Sequence, residues 1–140
     1  MIRIGSKIFT EQYILCEMYR LLIEGNTDLA VSSKTGLGGT KICFDALRND
    51  QIDFYPEYTG TGLLVILQPA EEVSARVMRD KDSTYAFVKQ QFEAEYQLEW
   101  LPPVGFNNAY ALMMRKNMAA QLQLNSISDL THYLTKKRTP

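Results

Sequence analysis

Three short stretches hold the residues best suited to ligand chemistry. They are Gly5-Ser6-Lys7 with Thr10, the run Gly36 to Thr40, and Tyr55-Pro56-Glu57-Tyr58-Thr59-Gly60-Thr61. Lys7 places a positive charge just before an expected helix start. Thr40 and Thr61 place hydroxyls at two other helix starts, where the first backbone N–H groups lack intrahelical partners. Together these groups suit a small carboxylate or another hydrogen-bond acceptor. Tyr58, with Tyr55 beside it, adds aromatic surface. An aromatic face attracts a cation that has no hydrogen-bond donors, because the ring quadrupole is negative there. A carboxylate site next to an aromatic site is what a betaine zwitterion requires.

Each of these residues also has a purely structural reading. Lys7 could be a solvated loop charge, Tyr58 could pack on the helix that follows it, and Thr40 and Thr61 could be ordinary helix caps. Residue types alone leave those alternatives open. Two other chemistries find less support. The run Gly36-x-Gly38-Gly39-Thr40-Lys41 lacks the spacing of both the phosphate-binding loop and the dinucleotide fingerprint. An enzyme using Glu57 as acid or base would need a second carboxylate, a nucleophile or a metal set, and none stands at recognisable spacing. No cofactor or metal site is expected. The single His132 has no Cys or His near it and is expected on the surface of the last helix.

The elements that must position these loops alternate. Ile2 to Ile4 reads as a strand, Thr10 to Glu24 as a helix, and Leu29 to Ser33 as a second strand. The glycine-rich turn then opens a helix to Leu47, and Ile52 to Tyr55 is a third strand ending at Pro56. In the first helix, Ile14, Met18, Leu21 and Leu22 follow one helical face, and Thr10, Glu11 and Gln12 offer capping chemistry. The β-α-β-α-β order implies a parallel sheet covered by helices. Ligands of such sheets bind beyond the carboxyl ends of the strands, where the three stretches fall. Downstream, helices are expected over Tyr58 to Leu67, from Pro69 through Val77, over Ser83 to Tyr96, over Asn117 to Leu122 and from Ser126 to Leu134. Strands are expected at Glu99 to Leu101 and Ala109 to Met114.

Composition narrows the function classes. The chain has 140 residues, 46% hydrophobic and 22% charged, with a net charge of −1. That is one ordinary domain able to bury a core. A nucleic-acid partner would call for a basic excess, which is missing. No apolar run reaches the roughly 18 residues of a membrane span. Met1 leads directly into a strand pattern, so no secretory signal is expected within the chain. Cys16 and Cys43 fall on expected helices and read as buried free thiols, or as a disulfide if the two helices pack side by side.

Four stretches in order carry a resemblance: Arg3 to Gln12, Gly36 to Thr40, Asp53 to Thr61, and Gly105 to Leu112. They resemble the glycine betaine, choline and carnitine binding proteins of osmoprotectant ABC importers, over residues 2 to about 131. The resemblance implies an α/β fold, a periplasmic binding protein-like type II lobe with a mostly parallel sheet and helices on both faces. Residues 1–107 would form the first lobe. Residues 108–140 would supply a crossover strand and the start of a second lobe that is otherwise absent.

By motif position, the resemblance implies Lys7 and Thr61 at a ligand carboxylate, and Tyr58 and Tyr110 in an aromatic cage. Asn108 would stand two residues before the second tyrosine, and Thr40 would face the cleft. Some family members carry Asp where Asn108 stands, a charge that would favour a bare cation. Further cage tyrosines and an arginine come from parts of the family's chain beyond this one. Implied partners are a quaternary-ammonium solute and an ABC transporter permease, and the implied location is extracytoplasmic. Homo-oligomerisation or strand exchange would follow from the shortened second lobe. A solute-sensing regulatory module on the same fold is the alternative function.

Overall fold

A computed structural model describes residues 1–138. The chain divides into two compact units, Met1–Val104 and Gly105–Pro140.

In the first unit, β1 (Ile2–Lys7) pairs in parallel with β2 (Val31–Gly38), and α1 (Thr10–Asn26) makes the crossover between them. The expected third strand is reduced to one parallel bridge between Ile4 and Phe54, supported by Asp53 N–H donating to Arg3 O at 2.7 Å and Gly5 N–H donating to Phe54 O at 2.9 Å. The bidentate Arg3–Asp53 pair closes the same junction, with Nη2 to Oδ1 at 2.5 Å and Nε to Oδ2 at 3.2 Å. β1 therefore lies in the middle.

Both β1 and β2 run further than their apolar cores suggested. The register jumps between Gly5↔Lys34 and Lys7↔Gly38, so β2 carries extra residues there. Gly36 absorbs the bulge at φ 71°, and its N–H donates to Ser6 Oγ at 3.0 Å. A left-handed position of this kind strongly favours glycine. The glycine-rich run thus shapes the strand end as well as the start of α2 (Thr40–Arg48).

The buried face of α1 is not the expected one. Gln12, Leu15 and Cys16 are buried, and Tyr19 packs edge-on against Phe54 with ring centroids 5.5 Å apart. Ile14, Met18, Leu21 and Leu22 are all half or more exposed. The helix has two apolar stripes, and the sheet covers the other one. The expected capping is also corrected. Phe9 is the N-cap without a side-chain bond, while Glu11 and Gln12 are engaged elsewhere.

After Pro56, α3 (Thr59–Thr61) passes directly into a π-helical turn, Gly62–Leu67. Gln68 N–H reaches back five residues to Leu63 O at 2.9 Å. Next come α4 (Glu71–Val77) and α5 (Lys81–Tyr96), the latter capped by Asp80 accepting from Ser83 N–H at 2.8 Å. These helices surround a core of Phe44, Leu63, Val77, Val88 and Phe92. Phe92 lies edge-on to Phe44, Tyr96 and Trp100, with centroids 5.9, 5.4 and 5.3 Å away. Gly62 admits this packing: a Cβ there would sit 2.7 Å from Trp100 Cζ2.

Glu99 to Leu101 is not a strand; it is held through Trp100 O, which accepts from Tyr85 Oη and Lys89 Nζ, each at 3.1 Å. The second unit holds α6 (Lys116–Leu122) and α7 (Ile127–Arg138). The expected crossover strand at Ala109 to Met114 does not form either. A strand exists only where a neighbouring backbone completes its hydrogen bonds. Among the described residues, none pairs with these two segments. His132 is exposed on α7.

Candidate binding site

Lys7 is the last residue of β1, not part of a following loop. At the end of the central strand, its side chain runs under the loop leaving Phe54. It is only 3% exposed. Its ammonium forms an ion pair with Glu57 Oε1 and stands 4.9 Å from the centroid of the Tyr58 ring. The Lys7 backbone N–H donates to Gln12 Oε1 at 3.4 Å. The lysine is therefore a buried, neutralised charge, and of the two readings its sequence position left open the solvated one does not hold.

Glu57 organises the centre of this cluster. Besides Lys7, its Oε1 accepts the Tyr58 N–H at 2.8 Å. Its Oε2 is buried without a hydrogen-bond partner, as is Gln12 Nε2. Burial, and then the Glu57 charge, hold the Tyr55 phenol far above the ordinary tyrosine range. Burial first and the Glu57 charge second push the Cys43 thiol up to about 11. Tyr55 thus belongs to the inner lining. Cys43 and Cys16 are both free and buried.

Tyr58 is the outer member. Half-buried, it receives Lys7 near its ring and donates its hydroxyl to Glu11 Oε1 at 3.1 Å. Glu11 lies in the first turn of α1, where the helix dipole favours an anion. A tyrosine ring is electron-rich at its face and attracts an alkylated ammonium there. Spacing could not reveal Glu11 or Glu57 as partners, because each meets its contact across about fifty residues of chain.

Thr40 is the first residue of α2, and Thr61 ends α3. Both are half-buried, and neither is a cap. Those positions belong to Gly39 and Tyr58, and no side-chain cap bond is made at either. Thr40 lies two residues beyond Gly38, the register partner of Lys7, and Thr61 lies one turn beyond Tyr58. Thr40 thus starts a helix at the carboxyl edge of the sheet, whereas Thr61 closes the short α3 and is not the helix start its sequence position suggested. Asn108 and Tyr110 belong to the second unit, where both are exposed.

A surface depression lined by Glu93, Gln97, Leu98 and Glu99 shares no residue with the cluster. Among the described residues, no three His, Cys, Asp or Glu side chains are grouped to hold a metal ion. Among those residues, too, no helix is long and apolar enough to cross a membrane.

Known proteins share both sequence and fold with this chain. The family described as the substrate binding domain of ABC-type glycine betaine transport systems matches residues 1–139. The glycine-betaine-binding protein of Pseudomonas aeruginosa is 38% identical over 138 residues, covering 98% of this chain and 41% of the relative. The carnitine transport binding protein OpuCC of Listeria monocytogenes is 35% identical over 130 residues, covering 92% of this chain and 40% of the relative. A crystal structure of a glycine betaine/carnitine/choline ABC transporter superimposes with a TM-score of 0.71 at 28% identity, covering 93% of this chain and 47% of that one. The chain thus spans about two fifths of the length of these curated relatives. A parallel β-α-β lobe with its charged and aromatic residues at the strand ends, matched along nearly its whole length, belongs to the substrate binding domain family of ABC-type glycine betaine transport systems.

Proposed function

We propose that this chain supplies one wall of a binding site for a quaternary-ammonium solute: glycine betaine, choline or carnitine. The binding protein concerned would serve an ABC importer from the extracytoplasmic side, with a permease as partner. Residues 1–107 would act as the first lobe and 108–140 as the passage into the second. The observation that carries this reading is the contact set of Tyr58, with an ammonium 4.9 Å from its ring and a carboxylate on its hydroxyl, in a member of this family.

In this reading, Tyr58 and Tyr110 meet the ligand's ammonium. Thr61, Thr40 and the N–H groups of the first helical turns meet its carboxylate. Lys7, paired with Glu57, holds Tyr58 in place instead of presenting an open charge, and Asn108 offers an uncharged polar contact. Nothing in this role requires bond making or breaking. Calorimetric titration with glycine betaine, choline and carnitine tests it. Heat with at least one solute, lost in Tyr58→Ala, supports the reading. Absence of heat with all three overturns it.

A further inference from the structure

Glu11 is not among the residues assigned to the ligand above, yet the geometry points to it as the residue that sets charge preference at Tyr58. Lys7 and Glu11 meet the Tyr58 side chain, and Glu57 meets its backbone. The Lys7 ammonium stands 4.9 Å from the ring centroid. Glu57 binds this ammonium and accepts the Tyr58 N–H at 2.8 Å. Glu11 accepts the Tyr58 hydroxyl at 3.1 Å. Lys7 and Glu57 are buried against each other, so their charges largely cancel at any distance beyond the pair. Glu11 is half-buried and open to solvent, so its charge remains available to an incoming group. Glu11 therefore supplies the counter-charge that favours a quaternary cation over an uncharged group of the same shape. This inference rests on the ammonium reading of Tyr58.

Choline and 3,3-dimethylbutan-1-ol separate charge from shape, because the alcohol carries carbon where choline carries the positive nitrogen. Glu11→Gln keeps an acceptor for the Tyr58 hydroxyl and removes only the charge. Titration of both ligands into both proteins should show choline weakened about fivefold in E11Q, the scale of one partly exposed charge pair, with the alcohol unchanged. Glu11→Asp should restore part of the preference. In the wild-type chain, the preference for choline should also shrink as salt is raised, by screening. Equal weakening of both ligands would mean that Glu11 only holds the Tyr58 hydroxyl, and would overturn the inference. An unchanged preference ratio in E11Q, or one insensitive to salt, would overturn it too. If the wild-type chain binds neither choline nor glycine betaine, the ammonium reading of Tyr58 fails and the inference falls with it. Choline binding that survives E11Q intact removes the inference alone.

Discussion

Lys7 and Glu57, fifty residues apart in the chain, form an ion pair whose side chains are only 4% and 5% exposed. Breaking such a pair from one side strands a buried charge, whereas removing both sides does not. Lys7→Met should lower stability by about 3–5 kcal/mol. The double variant Lys7→Met/Glu57→Leu should lose clearly less than the sum of its single changes. Urea denaturation of the four proteins gives the coupling. Strict additivity would show that the pair does not hold the strand end to the loop.

Asp53 offers a pH test at the other end of β1. The Arg3 guanidinium, and then the Arg3 N–H, hold its carboxyl below the ordinary aspartate value. A depressed folded pKa gives stability that is present above the unfolded value of about 3.9 and lost as pH falls through the folded one. Stability should therefore drop on acidification below about pH 4. Asp53→Asn should be less stable at neutral pH and should lose less on acidification. Urea midpoints across the acid range measure both effects.

The cysteines should be chemically quiet. With the Cys43 thiol at about 11, its thiolate fraction at pH 8 is about one thousandth. Burial raises the Cys16 thiol as well. Iodoacetamide should label neither residue at an appreciable rate in the folded chain, and both rapidly in guanidinium. Mass spectrometry distinguishes these outcomes; fast native labelling of Cys43 would contradict the burial described.

Gly62→Ala tests the joint between the π-helical turn and the aromatic core. The new methyl would stand 2.7 Å from Trp100 Cζ2 and 3.2 Å from Val88 Cγ1, so the indole must shift. A loss of about 1–3 kcal/mol is expected, as for other overpacked sites. Trp100 is the only tryptophan, so its emission reports the movement directly. An unchanged spectrum with unchanged stability would show that the contact gives way freely.

How far these features could be read from sequence depended on how local they are. The span of α1 follows from its own periodicity, and it formed close to the expected limits. Which of its stripes is buried depends on what the fold lays against it, so Ile14, Met18, Leu21 and Leu22 were misassigned and Leu15 went unnoticed, while Cys16 was read correctly as a buried thiol. Lys7 and Tyr58 stand together because parallel pairing carries residues from distant parts of the chain to one sheet edge. That much topology foretold. The engagement of Lys7 by Glu57, and of Tyr58 by Glu11, is a matter of side-chain geometry across fifty and forty-seven residues, to which spacing is blind. The segment Ala109 to Met114 has the composition of a strand but no partner among the described residues. Composition alone does not make a ladder.

The tether from β1 to the loop after Phe54 also has a kinetic meaning. Tyr58 is fastened at its backbone through Glu57, near its ring by Lys7, and at its hydroxyl by Glu11. On the binding reading proposed above, its ordering entropy is therefore spent when the chain folds, not when a solute arrives. Changes at Glu57 or Lys7 should appear as slower association and a wandering tyrosine ring, even though neither residue need touch the guest.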